Sequence, residues 1–201
     1  MDHTPFPALP APLEKALEEG DARWAILPVS EISFDPIFRK YCKDNVCGKY
    51  GACWSCPPDI GTYEELKARV QAYDTVLLFS REYPINGTDD LPGMLEAGKQ
   101  HNRFTAKIQR LVRPLFPHCF VTGTGDCRLC DTCTRPENLP CRLPDEMLTS
   151  LEACGANVID LAEKARLSWK MESRTIIYFS AILLYRSQLF TENDFETPES
   201  F

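Results

Sequence analysis

The apolar positions of this chain change period several times, and each change marks an element. Leu13 to Gly20 has helical spacing and stops at a glycine, a residue suited to the position just past a helix end. Trp24 to Val29 is a short apolar run of strand length. Ser33 to Tyr41 reads as a short helix, with Ser33 as N-cap and Asp35 and Pro36 in its first turn. Thr62-Tyr63-Glu64-Glu65 is a capping box, in which the Thr62 hydroxyl serves the amide three residues on and Glu65 reaches back. Leu66, Val70 and Tyr73 then give that helix one apolar face. Thr75 to Ser80 is a short run rich in Val, Leu and Phe, the mark of a buried strand. Arg81 to Gly93 has no period and reads as a loop. A helix follows to about Arg113, ahead of Pro114, with Phe104, Ile108, Leu111 and Val112 on one side. Arg103, Lys107 and Arg110 line another side, either as a solvated face or as a stripe that docks an anion or a partner. Cys119 to Thr122 reads as a third strand, Asp145 to Cys154 as a helix stopped by Gly155, Val158 to Leu167 as another helix, and Thr175 to Tyr185 as the last strand.

Strands alternating with helices predict an α/β fold: a single layered domain with a small central sheet flanked by helices. Residues 1–22 read as a mobile Pro-rich arm with a short helix, residues 23–187 as the domain, and residues 188–201 as an acidic tail. Two long stretches, Cys42 to Gly61 and Gly123 to Pro144, have no period and are rich in cysteine. Such loops are expected at one edge of the sheet, where α/β proteins place their sites.

Composition narrows the chemistry. At 44% hydrophobic and 25% charged residues, the 201-residue chain has ordinary globular usage and can bury a core. Its net charge of −7 argues against a phosphate-backbone binder, so no nucleic acid is expected as partner. Met1-Asp2-His3-Thr4-Pro5 has neither the basic nor the apolar part of a secretory leader, and the most apolar window, Ile176 to Tyr185, is about half of a membrane span. A cytoplasmic protein with no membrane partner is therefore expected. Thiols stay reduced there, so its 10 cysteines point to metal binding or redox chemistry rather than to disulfides. There is no phosphate loop or dinucleotide fingerprint, and His3, His101 and His118 enter no catalytic pattern.

The sharper motif is Cys127-x2-Cys130-x2-Cys133, followed by Cys141-Arg142-Leu143-Pro144. Three thiols in one tight run suit the separated iron corners of a [4Fe-4S] cube, with Cys141 available for the fourth. A zinc ion needs four ligands at about 2.3 Å and usually draws them from two separate knuckles. The first loop carries Cys42, Cys47, Cys53 and Cys56. These four could close a cluster alone, could leave one iron open to a substrate, or could exchange Cys56 with Cys141, because Cys56-Pro57 resembles the Cys-Pro step of two-cluster ferredoxins. Tyr50 and Trp54 are expected to shield the centre, and Arg128 and Arg142 to offset the charge of a thiolate-bound cluster. Cys119 in a strand and Cys154 at a helix end are expected to act as small hydrophobes.

At these residues the chain resembles the predicted metal-binding proteins called domain of unknown function 2284, found mostly in anaerobes. The matching pieces are Cys42, Cys47-Gly48-x-Tyr50-Gly51, Trp54-x-Cys56-Pro57-Pro58, Gly125-x-Cys127-x2-Cys130-x2-Cys133, Cys141-Arg142-x-Pro144, and Leu151-Glu152-Ala153 ahead of Gly155. They extend from about Trp24 to about Tyr185. The resemblance implies metal binding in an oxygen-sensitive setting, with iron–sulfur favoured, and carries over to Cys42, Cys47, Cys56, Cys127, Cys130, Cys133 and Cys141. Cys53 and Asp126 depart from its pattern, so Cys53 leaves the fourth ligand of the first site open.

Three functions fit these residues. One is a protein with one or two [4Fe-4S] clusters that passes electrons to or from a partner enzyme. Another is a redox enzyme whose open iron binds a small-molecule ligand. The third is a zinc-stabilised interaction module without catalysis.

Overall fold

The computed structural model describes residues 8–185 and residue 187. Its centre is a pair of ten-residue strands, β2 (Thr75–Pro84) and β4 (Thr175–Leu184), running antiparallel with Thr75 opposite Leu184. β1 (Arg23–Pro28) pairs antiparallel with β2, and β3 (Phe120–Thr122) with β4, giving the order β1-β2-β4-β3. Helices and strands are mixed as the alternation predicts, and every strand pairing is antiparallel.

Both faces of the two central strands are covered, which explains their unbroken apolar runs. Successive strand residues point to opposite faces. Val76, Leu78, Ala181 and Leu183 face one core, which is closed by Leu66 and Val70 of α3 (Tyr63–Gln71) and by Val158, Leu161 and Ala162 of α5 (Val158–Lys164). Leu77, Phe79, Ile182 and Leu184 face the other core. It is closed by Leu13 and Leu17 of α1 (Ala11–Glu19) and by Ala106, Ile108 and Val112 of α4 (Leu91–Leu115). The short helix of the expected N-terminal arm is thus packed into the core. Residues 1–7 of that arm and the expected tail, 188–201, lie outside the described residues.

Several boundaries differ from expectation for local physical reasons. The capping box is present in full, with Glu65 N–H donating to Thr62 Oγ1 at 3.2 Å and Thr62 N–H donating to Glu65 Oε2 at 2.8 Å. Ser33 is not a cap. Its hydroxyl donates to Asp160 Oδ2 at 2.6 Å, and Asp35 instead receives the Ile37 N–H at the start of α2 (Ile37–Lys43). The expected loop from Arg81 shrinks, because β2 continues to Pro84 and Asp90 caps α4 by accepting the Gly93 N–H. α4 also accommodates Pro114 in its final turn, and α5 stops at Lys164.

The expected helix from Asp145 to Cys154 is absent except for a single 3-10 turn, Glu152–Cys154. Its apolar spacing is misleading. Leu148 and Leu151 would share one helix face, yet Leu148 is buried in the α4 core and Leu151 in the α3/α5 core. The chain passes the edge of the sheet between them in extended form, where Ser150 bridges to Gly123.

α4 is held to the central strands by buried polar contacts as well as apolar packing. The fully buried His101 meets Tyr83 Oη at Nδ1 (3.2 Å) and Ser180 Oγ at Nε2 (3.0 Å), while Thr105 Oγ1 donates to the His101 carbonyl. Burial, helped by the Arg81 cation, pulls the His101 imidazole down from 6.5 to about 3. The unfolded chain protonates this ring near its ordinary value while the folded one keeps it neutral. Its stabilising effect is therefore complete above about pH 6.5 and is lost as pH falls toward about 3, with a slope approaching about 1.4 kcal/mol per pH unit. His101→Gln should flatten urea-unfolding stability against pH across that window by about one proton. An unchanged slope would mean that the ring is accessible to protons in the folded state.

Candidate metal centre

The first cysteine loop follows α2 and is built from consecutive turns. Asn45 Oδ1 accepts the Tyr50 N–H at 2.9 Å, and Gly51 N–H donates to the Pro57 carbonyl at 2.8 Å, closing the loop on itself. Cys56 N–H donates to the Cys53 carbonyl, forming a tight turn that leaves both thiols buried. Between them, the fully buried Ser55 joins the two loops. Its Oγ lies 3.3 Å from Cys53 Sγ and accepts the Cys127 N–H at 3.0 Å, while its carbonyl accepts from Thr149 Oγ1. Trp54 Nε1 adds a second tie by donating to the Leu139 carbonyl at 2.9 Å. The Arg135 guanidinium stacks on the Trp54 ring and is itself held by Asp59.

The second loop is pinned from α4. The buried Asn102 amide donates to the carbonyls of Thr124 and Asp126, each at 2.8 Å, and accepts the Thr124 N–H at 2.8 Å. Asp126 has only 7% of its side chain exposed and pairs with Arg128 Nε at 2.6 Å and Lys49 Nζ at 3.4 Å. Arg128 continues to the Leu95 carbonyl at 3.0 Å, passing over Gly98, where a Cβ would meet its guanidinium at 2.9 Å. Beyond the triple-cysteine run, Arg142 Nη1 donates to the Thr132 carbonyl at 2.7 Å and Thr134 Oγ1 to the Pro140 carbonyl at 2.9 Å. These bonds fold Cys141 back beside the run.

The outcome is a single cavity of about 980 Å³ faced by both loops. Cys47 and Cys53 from the first loop and Cys127, Cys130, Cys133 and Cys141 from the second line it. Cys56, which is buried, and Cys42, on α2, are outside the lining. Cys154 is buried in the α3/α5 core and Cys119 packs against the α4 core. Trp54 lines the cavity, whereas Tyr50 is on the exposed surface. Among the described residues, no three His, Cys, Asp or Glu side chains converge tightly enough to hold one bare ion.

The thiols differ in their affinity for protons. A hydrogen bond from Cys56 holds the Cys53 thiol down at about 5, against the burial that opposes it. The same bond, with burial and the Cys53 charge, pushes the Cys56 thiol up. Burial raises Cys127 to about 11 and Cys154 to about 12. Cys42 is raised by burial, with Arg39 opposing.

Residues 25–184 match the family of predicted metal-binding proteins designated DUF2284. The chain belongs to that family. No curated protein and no solved structure matches it. The cavity of this DUF2284 protein has a donor set that suits a metal: thiolates are soft ligands that select zinc, copper(I) and iron–sulfur clusters. Lys49, Lys99, Arg128 and Arg142 also line the cavity, with Glu96, Asp126 and Asp131. None of the described helices is long and apolar enough to cross a membrane.

Motif spacing picks out the cysteines and passes over Ser55 and Asn102. Ser55 carries no signal beyond its place inside a C-x2-C pair. Asn102 is not singled out by its place on the helix either, since His101, Thr105 and Gln109 also put polar groups on the buried side of α4. Asn102→Leu should leave the Thr124 and Asp126 carbonyls and the Thr124 amide without their partner, lowering stability by about 1–3 kcal/mol. Hydrogen exchange should speed up across residues 123–144, and unchanged protection there would remove Asn102 from the positioning role.

Proposed function

We propose that the chain is an iron–sulfur protein that carries electrons, with a [4Fe-4S] cluster bound in the cysteine-lined cavity. The observation that carries this reading is the presence of Cys127, Cys130, Cys133 and Cys141 together with Cys53 in the lining of one cavity. The triple run supplies three iron corners, and the fourth falls to Cys141 or to Cys53 from the other loop. When bound, such a cluster exchanges one electron at a time.

The protein's own groups support that use. Ser55 places an N–H–loaded hydroxyl beside Cys53, and hydrogen bonds near a sulfur ligand tune its electron density. Trp54, Leu129, Leu143 and Met147 give the cavity apolar walls that limit water. Lys49 and Arg128 meet at Asp126, leaving a net positive charge beside the thiols. A redox enzyme with an open iron is a second reading, favoured by a volume at the upper end of the range for small-molecule sites.

Protein made and purified without oxygen should be brown, absorb broadly near ~400 nm, and contain iron and acid-labile sulfide in equal amounts. Cys130→Ser should abolish that absorption, whereas Cys42→Ser, outside the cavity lining, should retain most of it. Stoichiometric zinc without sulfide would replace this reading with the zinc-stabilised module. An electron paramagnetic resonance signal of the reduced protein that shifts with added small ligands would favour the open-iron enzyme over the carrier.

A further inference from the structure

We infer that the exposed face of α4, together with the apolar mouth of the cysteine cavity, docks an acidic electron-carrier protein. The inference rests on the cluster reading for its purpose and on independent observations for its geometry.

The first observation is charge. Within Leu91–Leu115 the chain carries five cations, Lys99, Arg103, Lys107, Arg110 and Arg113, against the single acid Glu96, although the whole chain has a net charge of −7. Lys99, Arg103 and Lys107 recur every fourth residue, so they form one row on the helix surface. The structure exposes Arg103 and Lys107 and gives neither a salt bridge among the described residues. Lys99 pairs at 2.9 Å with Asp131, whose side chain is 89% exposed, and Arg110 pairs with Glu146. Exposed pairs of this kind contribute little and exchange readily for a partner's carboxylates.

The second observation is the position of that row. Continued toward the helix start, it reaches Leu95 and Leu91, which are 45% and 61% exposed, and both line the cysteine cavity. Val46, 86% exposed, stands on the same lining from the first loop. Lys99 is at the junction, in the cavity lining and in the basic row. Apolar side chains around an opening with charges extending to one side match a transient protein interface, whose centre excludes water and whose rim sets orientation. The complementary partner presents carboxylates around its own redox centre. With five cations against one acid on α4 of a negatively charged molecule, attraction orients such a partner as well as recruiting it. In the productive complex one electron leaves the reduced carrier's centre and enters the oxidised cluster. The carrier is left oxidised, and no bond or proton need change.

A purified acidic [2Fe-2S] ferredoxin serves as the carrier, with binding followed by interferometry at low and high salt. Wild-type protein should bind at low salt and lose most of that binding at high salt. The double substitution R103E and K107E should weaken low-salt binding by about tenfold or more, chiefly through slower association. Leu95→Ser should instead speed dissociation. Circular dichroism and metal content matching wild type show that the variants are intact. Equal binding by wild type and double variant, absence of low-salt binding, or tighter binding to a single-stranded RNA oligonucleotide would each overturn the proposal. The assay also runs on metal-free protein. Charge-dependent docking by a protein that takes up no iron and sulfide when made without oxygen would sink the cluster reading alone, and a cluster-bearing protein that ignores the ferredoxin would sink the docking alone.

Discussion

The buried Asn102 amide makes three hydrogen bonds to the backbone of residues 124–126, and the position of the cysteine run depends on them. A segment without helix or strand has no ladder to satisfy its backbone groups, so another part of the molecule must do so. α4 does this here. It can because it is itself immobilised over the sheet, by Ile108 and Val112 in the core and by His101 between Tyr83 and Ser180. Asn102 is thus the link between a rigid helix and an irregular thiol-bearing loop. Gly98, one turn earlier, makes room for Arg128 to add a second strut to the same loop.

The two cysteine loops then complete one another. The first loop is closed by short-range turns, but its buried Ser55 is tied to Cys127 of the second loop and to Thr149 just beyond it. Ser55 lies 72 positions from Cys127 in sequence and one hydrogen bond away in space. A cavity shared in this way differs from two independent knuckles, because displacing either loop removes thiols and walls from the same cavity. The opposite shifts of the Cys53 and Cys56 thiols, one lowered and the other raised, belong to this junction and reflect how closely the chain packs there.

Legibility in the sequence follows the range of the interaction concerned. The Thr62–Glu65 capping box is a four-residue device and reads directly from the chain. The apolar runs of β2 and β4 were equally plain, because burial on both faces removes any alternation that could confuse them. The helix expected from Asp145 to Cys154 misled for the same kind of reason. Leu148 and Leu151 have helical spacing but serve opposite cores, and no local pattern records which core a residue enters. At the site, cysteine spacing within each loop was legible, and so was the packing of Cys154 and Cys119 with the two cores. The convergence of Cys53 with the second loop was not, since it depends on Ser55, Trp54 and Asn102 acting across long stretches of chain.

The passage of residues 148–151 beside the sheet has a thermodynamic meaning of its own. The segment that follows Cys141 anchors first in one core, through Leu148, and then in the other, through Leu151. The second loop is therefore wired into both hydrophobic layers rather than hung from one of them. Any group that binds only the folded loop draws its affinity partly from the folding of the whole domain. Occupancy of the cavity by such a group would be coupled to the stability of the domain: losing it would weaken the fold, and a destabilised core would release it.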